Sequence, residues 1–560
     1  MRRAIPQLML ALVCLPLLTC AAAGAEPVTL PWIEQMPNLP QPLAIKDWRA
    51  TAQAYDRLVF DLGATGEYLP LVWLDDSRAN FDGPGFGLPS YVGSANRGGS
   101  RHEGINCIAA VLGASLAGID KTQGEHNWVP MCRQYFNRAG GQNIILNNTR
   151  AGTGGSFWYE LWPAILFFGL ADRYPTVEGM DAIVRTAADR WCEAVQKLTG
   201  PDGAADFNHT AFDFRKMEPR DNGKWKEPDG AAGAAWLMVA AGSRYKDPKF
   251  LKAADACLAF LQQSGRPKDN PSYEILAPWG ALAAARANAE QGRRYDVLRF
   301  VTWCFDGRAT PRGSWGTVAE RWGNYDCHGL VGSLTDGGGY AFAMNTFAQP
   351  GALVPLVRYD DRFARAIGKY TLNAANAARL FYLDAVPEEL QSSAFWKGDP
   401  HHVIPYEGLR KNGQGKTPYA TGDVIRSRRG PTDLGLYGGS HVGFFGGIIG
   451  RTNHEAILRL DCLATDFFRA KAYPTYLYYN PYAEARQVTV NVGLEARDLY
   501  DAAGDRFVAR NVCGETAILV AADSAVLLVI VPAGGKVTRH GARLLVDGVV
   551  ADYSARAPAP

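Results

Sequence analysis

The sequence predicts a mainly α chain, an (α/α)6 toroid of inner and outer helices followed by a small antiparallel β-sandwich. Three observations carry this reading. Two kinds of helical segment alternate along the central stretch, one amphipathic and the other apolar nearly all round. Segments leading into the apolar helices are long, whereas those leaving them are short. After Ala472 the apolar period changes from 3.6 to 2.

The amphipathic kind begins with Trp48, Ala52, Tyr55, Val59 and Leu62 at helical spacing. Val177, Met180, Val184, Ala187, Trp191 and Leu198 form a second stripe. Phe250, Ala254, Cys257 and Leu261 form another, with Asp247 as N-cap, Pro248 in the first turn and Gly265 beyond the end. Phe363, Ile367, Tyr370, Ala374, Ala377 and Phe381 repeat it, and shorter candidates at 127–137 and 295–305 complete six. The apolar kind, rich in Gly and Ala, occupies 104–118, 156–174, 228–245, 271–291, 339–357 and 441–450. A helix without a polar face must be surrounded by protein. Six surface helices alternating with six buried ones describe two concentric rings.

This alternation resembles the six-hairpin glycosidase-like superfamily over residues 46–461. The resemblance rests on helix number and alternation, and it brings no catalytic residue with it. Segments leaving the apolar helices are short (174–177, 291–294, 357–362). Those entering them (63–101, 200–227, 306–338 and 383–440) far exceed the usual connection of about 4–6 residues. Long structured loops are commonly functional. They are expected to build a cleft at the rim where the apolar helices have their N-termini, the positive ends of their dipoles.

Strand patterns follow at 475–479, 487–492, 507–510, 517–521, 525–531 and 544–549, with turns at Asn480-Pro481, Ala503-Gly504-Asp505 and Pro532-Ala533-Gly534-Gly535. They predict a sandwich over 472–552 and a disordered tail over 553–560. The run 498–504 followed by 524–532 resembles the closing β-domain of many glycoside hydrolases, which implies a structural role.

At the N-terminus, Met1-Arg2-Arg3, an apolar run over 8–18 and small residues at 21–25 have the three regions of a secretory signal cleaved after Ala25. A lead-in over 26–45 then precedes the helices. Export to the periplasm or beyond is expected; Thr19 before Cys20 is a poor lipobox match, which argues against lipoprotein anchoring. No other apolar run is long enough for a transmembrane segment. Removing Arg2 and Arg3 from 58 basic residues balances them against 56 acidic ones, so nucleic acid is not expected as a partner. The cysteines beyond the signal form no C-x-x-C motif and mostly sit in helical apolar patterns, where a thiol behaves as a small hydrophobe.

Chemistry-bearing residues concentrate on the entering segments. His102, His209, His328, His401, His402 and His441 fall in them or at the first turns that follow. Adjacent His401-His402 and the lack of H-E-x-x-H give no metal site, and no cofactor is expected. Asp326 and Glu407 are the first choice for an acid/base pair, each beside aromatics, and Gly408 lets backbone approach a ligand. Glu160, a turn into an aromatic apolar helix, and Asp229 come next, and Glu103 last.

Aromatics interleaved with polar groups suit a sugar, whose hydrogens stack on rings while its hydroxyls need polar partners. Trp225 and Trp322 are the expected stacking platforms. Arg97, Arg101, His102, Trp158, Arg321, Tyr325, His328, His402 and Tyr406 are further substrate-binding candidates. The expected function is an exported glycoside hydrolase acting on an oligo- or polysaccharide, inverting by analogy to the architecture. A polysaccharide lyase using Tyr325, His328, Asn324 and Arg321 on a uronate glycan is the alternative. A non-catalytic glycan-binding protein is a third.

Overall fold

The computed structural model describes residues 26–94, 98, 101–150, 152–263, 270–307 and 313–555. The expected signal over 1–25, Arg97, Gly265 and the last five residues of the chain lie outside them. Up to about residue 450 the chain is predominantly helical. Its principal helices are α1 (Trp48–Val59), α2 (Gly104–Leu116), α3 (Phe157–Arg173), α4 (Met180–Leu198), α5 (Gly230–Tyr245) and α6 (Pro248–Gln262). They continue with α7 (Leu276–Gln291), α8 (Val297–Trp303), α9 (Ala343–Ala348), α10 (Pro350–Leu356), α11 (Ala364–Ala377) and α12 (Val442–Ile448).

Helices α2, α5, α9, α10 and α12 are buried along nearly their whole length, as their mostly apolar sequences require. They and their companions pack in a closed order: α2 on α3, α3 on α5, α5 on α7, α7 on α10, α10 on α12, and α12 back on α2. The charged amphipathic helices lie against this cycle, α4 on α3 and α5, α6 on α5, and α8 on α7. Glycine sets how closely the buried helices approach. At the α2/α12 crossing a Cβ on Gly443 would sit 2.1 Å from Gly113 Cα. Asp47 and Asp247 cap α1 and α6, accepting from the Ala50 and Lys249 N–H groups.

Helix α11 departs from the surface role that its amphipathic stripe predicts, being buried on most of its circumference. The lead-in covers its polar side: Asn373 and Asn376 donate to the Pro37 and Pro42 carbonyls, and the Ala44 N–H donates back to Asn376.

Segments 306–338 and 383–440 are not plain loops. They contribute to a five-stranded antiparallel meander of β1 (Trp315–Thr317), β2 (Val331–Ser333), β3 (Tyr340–Phe342), β4 (Gly408–Arg410) and β5 (Tyr419–Thr421), in spatial order β1-β2-β3-β4-β5. Residues 340–342, assigned to a helix by pattern, are the central strand. Gly408 permits the β3/β4 approach, since a Cβ there would lie 2.2 Å from the Ala341 carbonyl oxygen.

The C-terminal part consists of small antiparallel sheets. Its main sheet starts inside the helical region with β6 (Ile449–Gly450) and β7 (Arg459–Asp461), and continues with β8 (Thr475–Asn480). Further strands are β9 (Arg486–Asn491), β10 (Arg497–Asp501), β11 (Arg506–Val512), β12 (Glu515–Val520) and β13 (Ser524–Pro532). The order of the main sheet is β6-β7-β8-β13-β10-β11, with β9 paired to β12 separately. Period 2 divides its two faces. Leu477, Tyr479, Leu527, Val529 and Val531 join the helical core through α11. Tyr478, Val526, Leu528 and Ile530 form a second core with Val488, Val490, Ile518 and Val520 of the β9/β12 pair. Among the described residues no helix is long and apolar enough to cross a membrane. The eight described cysteines are all free thiols, and only Cys513 is exposed.

Candidate active site

A cavity of about 750 Å³ opens where the buried helices begin. Its helix-borne lining residues come from first turns: Ile105 of α2, Trp158 and Tyr159 of α3, and Met344 of α9. Tyr273 and Glu274 immediately precede α7. Apart from Glu103 and Phe342, three of the four long segments supply the rest, with Ser90 and Tyr91 from the first, Trp315 from the third, and Glu407, Asp423 and Tyr437 from the last. Segment 200–227 braces the site from outside. Glu227 at its end accepts from the Ser156 hydroxyl (2.7 Å), the Trp158 N–H (3.0 Å) and the Trp225 indole (3.2 Å), which caps α3.

Glu407, just before β4, is 5% exposed. Its Oε1 accepts from the Tyr91 and Tyr437 hydroxyls, both at 2.7 Å. Oε2 accepts from the Tyr340 hydroxyl on β3 at 2.8 Å and from the Asp423 N–H at 2.5 Å. Burial raises this carboxyl above the usual range; the tyrosine hydrogen bonds draw it back, and the nearby Asp423 charge adds to the rise. Burial and the Glu407 charge in turn push the Tyr91 phenol upward.

Besides Glu274 and Asp423, another carboxylate lines the cavity, that of Glu103 at the N-cap position of α2. The Ser90 hydroxyl donates to its Oε2 at 2.5 Å and the Asn147 amide to its Oε1 at 2.9 Å. Because Ser90 and Tyr91 are consecutive, one short stretch of backbone holds both Glu103 and Glu407. The walls are aromatic: Trp158 meets Tyr159 edge-on at 4.8 Å, and Trp315 meets Tyr273 and Phe342 at 5.5 and 5.2 Å. Tyr159 is 48% exposed.

Of the residues singled out from sequence, the structure brings Glu103, Glu407 and Trp158 together. Asp326 does not line the cavity. It sits in a hairpin (Arg321–Trp322 with Tyr325–Asp326), where His328 Nδ1 lies 2.6 Å away and, despite burial, holds its carboxyl below the usual range. Glu160 does not line the cavity and accepts the Gly154 and Phe212 N–H groups; burial raises it to about 8. Asp229 accepts the Tyr273 N–H at 2.9 Å, so it positions the backbone of a lining residue.

Trp322 is 1% exposed, packed over Gly339, and cannot serve as a platform. Trp225 is 38% exposed but lies off the cavity. Tyr406 is buried and bonded to Gln391 and the Ser393 N–H. Arg101 and Arg321 are exposed away from the cavity, Tyr325 and His328 belong to the hairpin, and His402 lines a separate depression with Trp396 and Asp399. His441 is a core residue: its Nδ1–H donates to the Tyr437 carbonyl, Trp162 Nε1–H points at Nε2, and burial lowers it to about 4. Tyr91, Tyr340 and Tyr437 escaped the sequence reading, since nothing near them marks convergence on one carboxylate. Among the described residues no group of three His, Cys, Asp or Glu side chains could hold a metal ion.

His102 lies behind the site rather than in it. Its Nε2 is 2.7 Å from Asp75 Oδ2 and its Nδ1 is 2.5 Å from the Tyr135 hydroxyl. Burial is the largest single influence and opposes the charged ring, but the hydrogen bonds to Asp75 and Cys107 together with the Asp75 charge outweigh it and carry the ring to about 9, while the bond to His102 holds Asp75 at about 2. The histidine contribution to stability is therefore complete below about pH 6.5 and lost as pH rises through about 9. That of Asp75 is present above about pH 3.9 and lost as pH falls through about 2. His102→Gln is expected to cost about 1–3 kcal/mol at pH 5–6. The difference in Tm from wild type should shrink toward pH 10, and a pH-independent difference would refute the charged pair.

No family model and no curated protein matches the chain. Among solved structures, an unsaturated glucuronyl hydrolase specific for heparin matches with a TM-score of 0.37 and 11% identity, covering 72% of this chain and 96% of that one. A GH127 β-L-arabinofuranosidase from Geobacillus stearothermophilus T6 matches with a TM-score of 0.32 and 10% identity, covering 91% and 85%. Likenesses this remote transfer no activity and no residue role.

Proposed function

We propose that the chain is an exported glycoside hydrolase acting on an oligo- or polysaccharide. In this reading the closed cycle of helices is the inner ring of an (α/α)6 toroid over 46–461, and the sheets over 472–552 form a β-sandwich that caps it. Glu407 is the general acid and Glu103 the base that activates water. The carrying observation is Glu407 itself: a buried carboxyl with an upward-shifted pKa, facing an aromatic-walled cavity that holds a second carboxylate. A raised pKa keeps the proton on the carboxyl to higher pH than on an ordinary glutamate. When protonated, Glu407 donates to a tyrosine oxygen, so Tyr91 can turn its own O–H toward the leaving oxygen.

This pairing moves the acid/base assignment from Asp326 to Glu103. Asp326 stays ionised against His328 and does not face the cavity. Two observations weigh against the lyase. Tyr91, with its phenol pushed upward beside Glu407, is a poor base. The set Tyr325, His328, Asn324 and Arg321 lies off the cavity, and no described histidine lines it.

Incubation with a panel of glycans tests the reading, with reducing ends and ultraviolet absorbance measured together. New reducing ends without absorbance are expected. Absorbance would mark the unsaturated sugar that only elimination leaves, and would overturn the hydrolase.

A further inference from the structure

We infer that the substrate is an acidic glycan whose carboxylate or sulfate group is held at the cavity mouth by Arg428 and Arg429. This rests on the hydrolase reading of the same cavity. Residues 423–430 form part of its wall and are fixed from beneath by the buried Asp433. Oδ1 of Asp433 accepts the Val424 and Ile425 N–H groups at 3.1 and 2.9 Å, and its Oδ2 accepts the Ser392 and Thr421 hydroxyls at 2.8 and 3.1 Å. The Asp423 N–H of this segment is the one that donates to Glu407. The turn closes with Arg428 N–H to the Ile425 carbonyl and Arg429 N–H to the Val424 carbonyl. Arg428 is held at φ 55°, an uncommon conformation for a residue with a Cβ.

Charge pairing separates these two arginines from their neighbours. Arg410 bridges Asp336 at 3.3 Å and Asp423 at 2.8 Å, and Arg426 lies 3.9 Å from Asp423. Arg428 and Arg429 line the cavity, are exposed, and have no carboxylate in ion-pair reach among the described residues. A guanidinium is always charged, and its planar fork matches a carboxylate or sulfate with two parallel hydrogen bonds. The Glu103 carboxylate lines the same cavity, so an anionic sugar is repelled unless positive charge meets it first. The acidic group therefore sits at the arginines and the scissile bond at Glu103 and Glu407. A neutral glycan has no use for two guanidinium groups that lack a carboxylate partner.

Calorimetric titration separates the possibilities. E407Q binds without turnover, and E407Q/R428Q/R429Q removes the proposed anion site; both are titrated with neutral, uronate-containing and sulfated neutral-backbone oligosaccharides. The acidic ligands should bind E407Q at least about tenfold tighter than neutral ones and lose about 10- to 100-fold in the triple variant, with the affinity also falling with added salt. The class that loses affinity, uronate or sulfate, names the anion. Reversal of the preference in E407Q/R428E/R429E supports the same conclusion. Equal binding of neutral and acidic ligands by E407Q, or acidic binding unchanged in the triple variant, would overturn it. Cleavage of neutral glycans alone by the wild-type chain leaves the hydrolase standing and removes this inference. Arginine-dependent binding of acidic glycans without cleavage of any glycan does the reverse.

Discussion

Glu407→Gln is expected to lower turnover by about 10²–10⁴-fold with the fold intact. The glutamine carbonyl can accept from Tyr340 and the Asp423 N–H, while its NH₂ donates to the Tyr91 and Tyr437 oxygens, so every contact of the carboxylate has a neutral replacement. A melting temperature close to wild type should accompany the loss. What the amide cannot do is give up a proton.

The pH profile carries the same test further. Because burial raises the Glu407 pKa, its protonated form persists above the ordinary glutamate range of about 4.3, and the alkaline limb of kcat/KM should lie correspondingly high. The Tyr437 hydroxyl stabilises the charged form. Removing it in Tyr437→Phe should raise the pKa further and move that limb to higher pH. If Glu407→Gln and Glu103→Gln both fold and turn over normally, the proposed pair is wrong; an unmoved limb in Tyr437→Phe would detach it from Glu407.

The helices were legible because their signal is long. A stripe such as Phe250, Ala254, Cys257 and Leu261 spans a whole helix, and a segment like 230–245 cannot be stable in water on any face. The five-stranded meander was not legible, since strands of three residues hold too little pattern to show period 2, and its glycines read as loop punctuation. Glu407 could be picked from Tyr406-Glu407-Gly408, although the close approach that the glycine permits is to the neighbouring strand β3 and not to a ligand. Asp326 stood out for the same aromatic surroundings, yet Trp322 is packed over Gly339 rather than facing a ligand. Composition near a residue shows that it is buried among rings and leaves open toward which cavity it faces. Tyr91, Tyr340 and Tyr437 come from three separate stretches of chain, and only the fold brings their hydroxyls to one carboxylate.

Asp466→Ala is expected to destabilise the protein by about 3–5 kcal/mol without touching the cavity. Asp466 is fully buried in the stretch that leads from β7 to β8. Arg358, just past α10, donates to its Oδ2, as does the Tyr359 hydroxyl at 2.9 Å. Arg286, fully buried near the end of α7, lies 4.0 Å from its Oδ1 and donates to the Phe467 and Phe468 carbonyls and to Ser243 of α5. Phe467 stacks on Trp279 of α7 within 7° of parallel. The network thus ties the C-terminal ends of three helices of the cycle to the strands that follow, at the opposite helix ends from the cavity. Arginine cannot escape by deprotonating. Alanine leaves the Arg358 charge buried without its counter-ion, whereas Arg286 retains Glu290 at 3.7 Å. Urea denaturation should show the loss as a lower midpoint at unchanged slope. Replacing the charged trio together by apolar residues of similar volume should recover most of it, because a buried ion pair is costly to break yet contributes little net. A single substitution within about 1 kcal/mol of wild type would show that water reaches Arg358 and that the network does not anchor the sheets to the helices.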